Sequence, residues 1–154
     1  MSAFTGTGGS QEAHPITNDG WFPDLDGQHM RESLRLDGSV TDARLEVAAV
    51  NAIIEVNREL KPWKAQQLAA GHPSLADVPA DEIQGESQLL HLYRRAIYCS
   101  AGAELAERMR DYSATGDGAE RADALTPTVD DYRRDARWAM RSILGRVHTT
   151  VELI

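Results

Sequence analysis

Between Leu90 and Met109 the apolar residues Leu90, Tyr93, Ile97, Ala101, Leu105 and Met109 recur at spacings of three and four. That spacing lines up one face of an α-helix. It predicts a helix that starts between Asp81 and Glu86 and reaches about Tyr112, with Leu89, Ala96 and Ala103 flanking the stripe. A stripe this long must be covered by other elements, and a 154-residue chain has the length for one core.

Two further helices supply the cover. Leu45, Ala49, Ala52, Val56 and Leu60 form a stripe over residues 42–60, with Ser39 or Thr41 as its cap. Pro62 is expected to kink or interrupt that helix near Lys61, with a resumption to a C-cap at Gly71. Val129, Tyr132, Ala136, Ala139 or Met140, and Ile143 mark a last helix, started by Thr126-Pro127 and carrying Asp130 and Asp131 in its first turn. A short helix capped by Asp26 precedes them, with Met30, Leu34 and Leu25 on one side, and ends at Asp37-Gly38. The expected fold is all-α: a small domain of three or four main helices with extended terminal segments. Residues 1–20, rich in Gly, Ser and Thr, read as a disordered arm, with order beginning at Trp21-Phe22. Residues 21–146 then form the helical domain and residues 147–154 an extended tail, while Ser113 to Leu125 reads as a mobile loop.

Net charge excludes some functions. Sixteen Lys plus Arg against 24 Asp plus Glu give a formal charge of −8, which opposes nucleic-acid or anionic-membrane binding driven by net charge. Cys99 is the single cysteine, so neither an intrachain disulfide nor a thiolate zinc cluster can form, and a reducing compartment fits. No stretch has the roughly 18 consecutive apolar residues of a membrane span, and no secretory signal is visible; no membrane partner is expected.

The acidic segment Leu75 to Ser87 contains Asp77, Asp81, Glu82 and Glu86 without the alternating oxygen ligands of a calcium loop. It reads as punctuation: Pro79 stiffens the connection, Asp81 and Gln84 form a capping box, and Glu86 supports the next helix. Asp24 and Asp26 resemble acidic pairs that hold magnesium, yet no glycine-rich phosphate cradle or partner lysine accompanies them, and capping is the better account. His14, His29, His72, His91 and His148 are scattered over separate elements. Ser87 and His91 share a helix face with no orienting acid, and Cys99 lacks an acid at hydrogen-bonding spacing. No catalytic residue, metal or cofactor is expected.

On the last helix Arg134, Arg137 and Arg141 form a basic strip beside Trp138, repeated in miniature by Arg94-Arg95. Two readings are open: a surface for phosphate or an acidic neighbouring copy, or a solvated face compensated by Asp130 and Asp131. The terminal Val147, His148, Thr149, Thr150, Val151, Glu152, Leu153 and Ile154 are β-branched and partly alternating. With no sheet to join, such a segment finds its partner in another chain.

Several stretches carry a resemblance: W21-F-P-D-L-D26, M30-R-E-S-L-R-L36, A43-R-L45, W63-K-A-Q-Q-L-A-A-G71, L75-A-D-V-P-A-D-E-I-Q-G-E-S87, Y93-R-R-A96, A122-D and D130-D-Y-R-R-D-A-R-W-A139. In order and near-uniform spacing they resemble the head completion, or head stabilisation, family of P2-like contractile-tailed bacteriophages. The resemblance covers Trp21 to Ile154, with a departure at Pro62. It implies a non-enzymatic virion component, assembled in host cytoplasm, that joins the portal vertex after DNA packaging. It further implies a ring of twelve copies, a tail-attachment surface contacting tail-completion proteins, and a C-terminal segment reaching the portal protein. On this chain residues 147–154 become the portal-docking segment, and the Arg134, Arg137, Trp138, Arg141 strip the inter-subunit face. Packaged DNA would lie near the acidic ring without sequence-specific contact. The competing class is a helical duplex-DNA-binding protein, supported by the arginine strip alone. A small enzyme comes third.

Overall fold

The computed structural model describes residues 14–113 and 127–146. Among the described residues four α-helices build the fold: α1 (Gly27–Ser33), α2 (Asp42–Ala69), α3 (Gln88–Ser113) and α4 (Val129–Ile143). The expected C-terminal tail, most of the expected loop after α3, and residues 1–13 of the expected arm lie outside the described residues.

α3 is the central element, packed along its length by α2 on one side and α4 on another. Tyr93, Ala96, Ile97, Ala101 and Leu105 form its buried face, as the periodicity requires, while Met109 at its far end is 39% exposed. Gly102 lets α4 come close: a Cβ there would stand 3.1 Å from the Tyr132 ring and 3.1 Å from Leu34. A mid-helix glycine costs roughly 1 kcal/mol of propensity, which the close α3–α4 packing must offset. α4 buries Val129, Ala136, Ala139, Met140 and Ile143.

The helix ends follow capping chemistry. Asp26 Oδ1 accepts from Gln28 N at 2.9 Å, and Thr41 Oγ1 accepts from Arg44 N. α4 starts slightly later than expected: its cap is Thr128, not Thr126-Pro127, and it forms a reciprocal capping box with Asp131. α1 ends at Ser33, before the expected stop at Asp37-Gly38, because Arg35 turns the chain at a φ of 54°.

Three expectations are corrected. Pro62 does not interrupt α2, which runs unbroken to Ala69. Side-chain contacts beyond the proline hold the helix together: the Trp63 ring meets Trp21 edge-on at 5.9 Å, and Lys64 Nζ bonds Asp19 Oδ2 at 2.6 Å. The arm is ordered from residue 14 rather than 21. Pro15–Ile16 (β1) pairs antiparallel with Leu25–Asp26 (β2), and Ile16 is buried in the core, an apolar contact that a glycine- and threonine-rich surrounding conceals. Asp81 and Gln84 form no capping box. The segment is instead a hairpin of Glu82–Ile83 (β3) and Glu86–Ser87 (β4), turned by Gln84 at φ 54° and Gly85 at φ 77°. Positive φ at both central residues gives the two-residue turn whose twist matches a hairpin.

Residues 14–26 act as a strap. Asp19 Oδ1 accepts from the backbone N–H of Trp21 and Phe22, Trp21 Nε1 donates to His72 O at 3.1 Å, and Phe22 stacks on Tyr93 at 4.6 Å. The strap thereby ties the far end of α2 to the start of α3.

Candidate assembly interfaces

The residues singled out for chemistry are engaged structurally. Ser87 Oγ accepts from Leu89 N and so caps α3, while His91 Nε2 donates to the carbonyl of Ile83 at 2.9 Å. The two side chains therefore work on separate backbone groups, not on each other. Asp24 accepts from Asn18 N, and Asp26 caps α1. Glu86 does not sit on the helix N-terminus as expected; it grips Arg94 in a two-pronged pair at 2.6 and 2.9 Å. That hydrogen-bonded pair holds the Glu86 carboxyl below its usual range and fixes the hairpin to α3. Cys99 is half-buried, and burial, with Asp135 nearby, raises its thiol pKa, the opposite of an activated nucleophile. Among the described residues no group of three or more His, Cys, Asp or Glu could hold a metal ion, and no helix is long and apolar enough to cross a membrane.

The arginine strip is split by the structure. Arg134 bonds Asp131 at 2.9 Å and Asp135 at 3.0 Å, and its guanidinium lies 5.0 Å over the Trp138 ring. Those acids, Asp135 foremost, raise the Arg134 pKa, and Asp131 is itself lowered, first by its Thr128 backbone bond. Arg95 also reaches Asp135, at 3.4 Å, and Arg133 bonds Glu107 at 2.9 Å. Arg141 is half-buried beside them, whereas Arg137 is exposed and Trp138 keeps 43% of its surface open. The strip is therefore a partly compensated helix face with an open tryptophan at its centre and an exposed Arg137 beside it.

A shallow cleft of about 340 Å³ separates α4 from α2 above α3, with Glu55, Glu104 and Glu107 facing Arg133 and Arg137. It is a seam of opposite charges between helices.

A second outward face escaped the sequence reading. On α2, Val47, Val50 and Ile54 are 52%, 39% and 58% exposed, in line with the exposed Ala43. Positions 43, 47, 50 and 54 alternate spacings of four and three, the pattern of a helix–helix seam. The signal was present in the letters but overshadowed by the stronger stripe of Leu45, Ala49, Ala52, Val56 and Leu60, which is the one buried in the core.

These features define a small, mostly helical domain whose distinctive outer features are helix faces rather than a lined cavity. The chain belongs to the phage head completion protein family (GPL), whose profile matches residues 16–154. It is 42% identical over 139 residues to the head completion/stabilization protein of Escherichia phage P2, across 90% of this chain and 82% of that relative. No solved structure gives a significant match.

Proposed function

We propose that this head completion protein binds below the portal once DNA is packaged, stabilises the filled head and presents the surface to which the tail joins. The carrying observation is the family match, which runs from Ile16 through the last residue, Ile154. The name of the phage P2 relative, a head completion/stabilization protein, supports a place in the virion. The action is mechanical, not enzymatic. Copies form a ring, twelve in the family's expected arrangement, with the α4 face of Arg134, Arg137, Trp138 and Arg141 against a neighbour. Residues 147–154 dock on the portal protein, and tail-completion proteins take the opposite side. Acids facing the channel would let duplex DNA slide without adhering.

The duplex-DNA reading loses support from the geometry, since Arg133 and Arg134 spend their charge on Glu107, Asp131 and Asp135. The test adds purified full chain, or the chain lacking residues 147–154, to DNA-filled heads made without this protein. Full chain should bind in multiple copies and retain DNA, and the truncated chain should keep its helical circular dichroism but stay free. Undiminished attachment by the truncated chain would overturn the docking assignment. Salt-dependent duplex binding by the free protein, without head uptake, would favour the DNA reading.

A further inference from the structure

We infer that the hairpin of β3 and β4 is a latched flap: residues 81–87 leave the start of α3 as one unit while the helical core stays folded, and the Glu86–Arg94 pair sets how often they do. The inference concerns the free chain and stands apart from the ring and portal readings.

Packing does little to hold the hairpin down. From Asp81 to Ser87 no side chain is buried, and Ile83, the one large apolar group there, is 53% exposed. The chain on either side differs: Val78 is buried before it, and Leu89 and Tyr93 are buried after it. A two-stranded hairpin without an apolar face is marginal on its own in water. The turn adds strain, since Gln84 holds a left-handed backbone at φ 54° that a residue with a Cβ disfavours. A cleft of about 400 Å³ lies between the hairpin, residues 76–80 and Leu90. Part of the hairpin's inner side therefore faces open space rather than packed atoms.

What fastens the hairpin is polar. Glu86 grips both ends of the Arg94 guanidinium, His91 Nε2 donates to the Ile83 carbonyl, and the Gln88 N–H donates to the Asp81 carbonyl at 2.8 Å. The Glu86 and Arg94 side chains are 42% and 28% exposed, so water competes for the pair. Segments that open locally are those with few buried apolar contacts and hydrogen bonds that solvent can reach, and residues 81–87 meet both conditions. The strap offers the contrast. It too is short and tied by polar bonds, but it sinks Ile16, Trp21, Phe22 and Leu25 into the core. The hairpin has no such anchor.

The Gln88 N–H reports on the flap, because its bond runs to Asp81 at the hairpin's base. Hydrogen exchange on the free full chain, read residue by residue by NMR across a urea series, makes the test. Gln88 should exchange about tenfold or more faster than Ile97 in the middle of α3, with a shallow urea dependence, because opening the flap exposes little surface. Glu86→Gln should speed exchange at Gln88 about three- to fivefold, the scale of one part-exposed ion pair, and leave Ile97 unchanged. Exchange at Gln88 with the full urea dependence of Ile97 would mean that hairpin and core open together, which overturns the inference. Parental exchange at Gln88 in Glu86→Gln would trace the opening to fraying of α3 and overturn the latch. Equal speeding of Gln88 and Ile97 would show the pair holding the whole fold, and would overturn it as well.

Discussion

The Tyr93 hydroxyl donates to Asn57 Oδ1 at 2.6 Å, and this bond is one side of a closed polar triangle. Asn57 Nδ2 donates to Asn18 Oδ1 at 2.9 Å, and Asn18 Nδ2 donates back to the Tyr93 oxygen at 2.8 Å. One residue comes from α2, one from α3 and one from the strap, so the triangle is the joint at which three segments meet. Burial of Tyr93, ahead of any other influence, pushes its hydroxyl well above the ordinary tyrosine pKa.

Replacing Tyr93 with Phe keeps the ring stacked on Phe22 but leaves Asn57 and Asn18 each short of a partner. The expected loss is about 1 kcal/mol in urea unfolding, the cost of leaving partly buried polar groups short of a partner. Amide exchange at Trp21 and Phe22 should accelerate more than at Ile97, because the strap loosens first.

Stability should fall at both ends of the pH scale, for opposite reasons. Burial alone would raise the Asp19 pKa, but the Lys64 bond and the Phe22 and Trp21 N–H groups together lower it. A carboxyl lowered by folding stabilises above its unfolded pKa of about 4, and that contribution is lost as pH falls through the folded value. Tyr98 is pushed up to about 12, chiefly by burial. Its contribution is complete below the unfolded pKa of about 10 and disappears as pH rises through the folded one. Urea midpoints against pH should therefore drop on both sides, and Asp19→Asn should flatten the acid limb alone.

Gly102→Val should destabilise the chain by about 1–3 kcal/mol. The added branch meets the Tyr132 ring and Leu34 at distances already tight for a single Cβ. Thermal unfolding measures the loss, and a shift in Tyr132 fluorescence or ring resonances would show α4 pushed off α3.

Pro62→Ala should stabilise the free chain by about 1–3 kcal/mol. The substitution restores a donor to the Arg58 carbonyl inside a helix that is already continuous. An unchanged or lower unfolding temperature would mean that the proline's fixed backbone angle is needed there.

The long helices were legible because each carries a stripe at helical spacing next to a capping side chain. Asp26 and Thr41 cap where local chemistry requires. What the letters concealed depends on distant partners. Pro62 predicts a kink or a break, and α2 runs on without a break beside the Trp21–Trp63 and Asp19–Lys64 contacts. Ile16 stands alone in a polar stretch, and its burial depends on β2 arriving beside it. Gln84 adopts a left-handed turn that asparagine would have advertised. The α4 strip was legible as a pattern, but its compensation by Asp135 depends on a residue pointing sideways along the same helix. The α2 outer stripe was missed for a different reason: periodicity shows that apolar residues share a face but not which of two such faces is inside.

The strap also imposes a timetable on manufacture. Its joints reach far along the chain, 51 residues from Trp21 to His72 and 75 from Asn18 to Tyr93. The strap is made before its anchors: His72 follows α2, and Tyr93 follows the hairpin as well. The nascent chain therefore carries Trp21 ahead of its partners Trp63 and His72, and Phe22 for longer still, until Tyr93 is made.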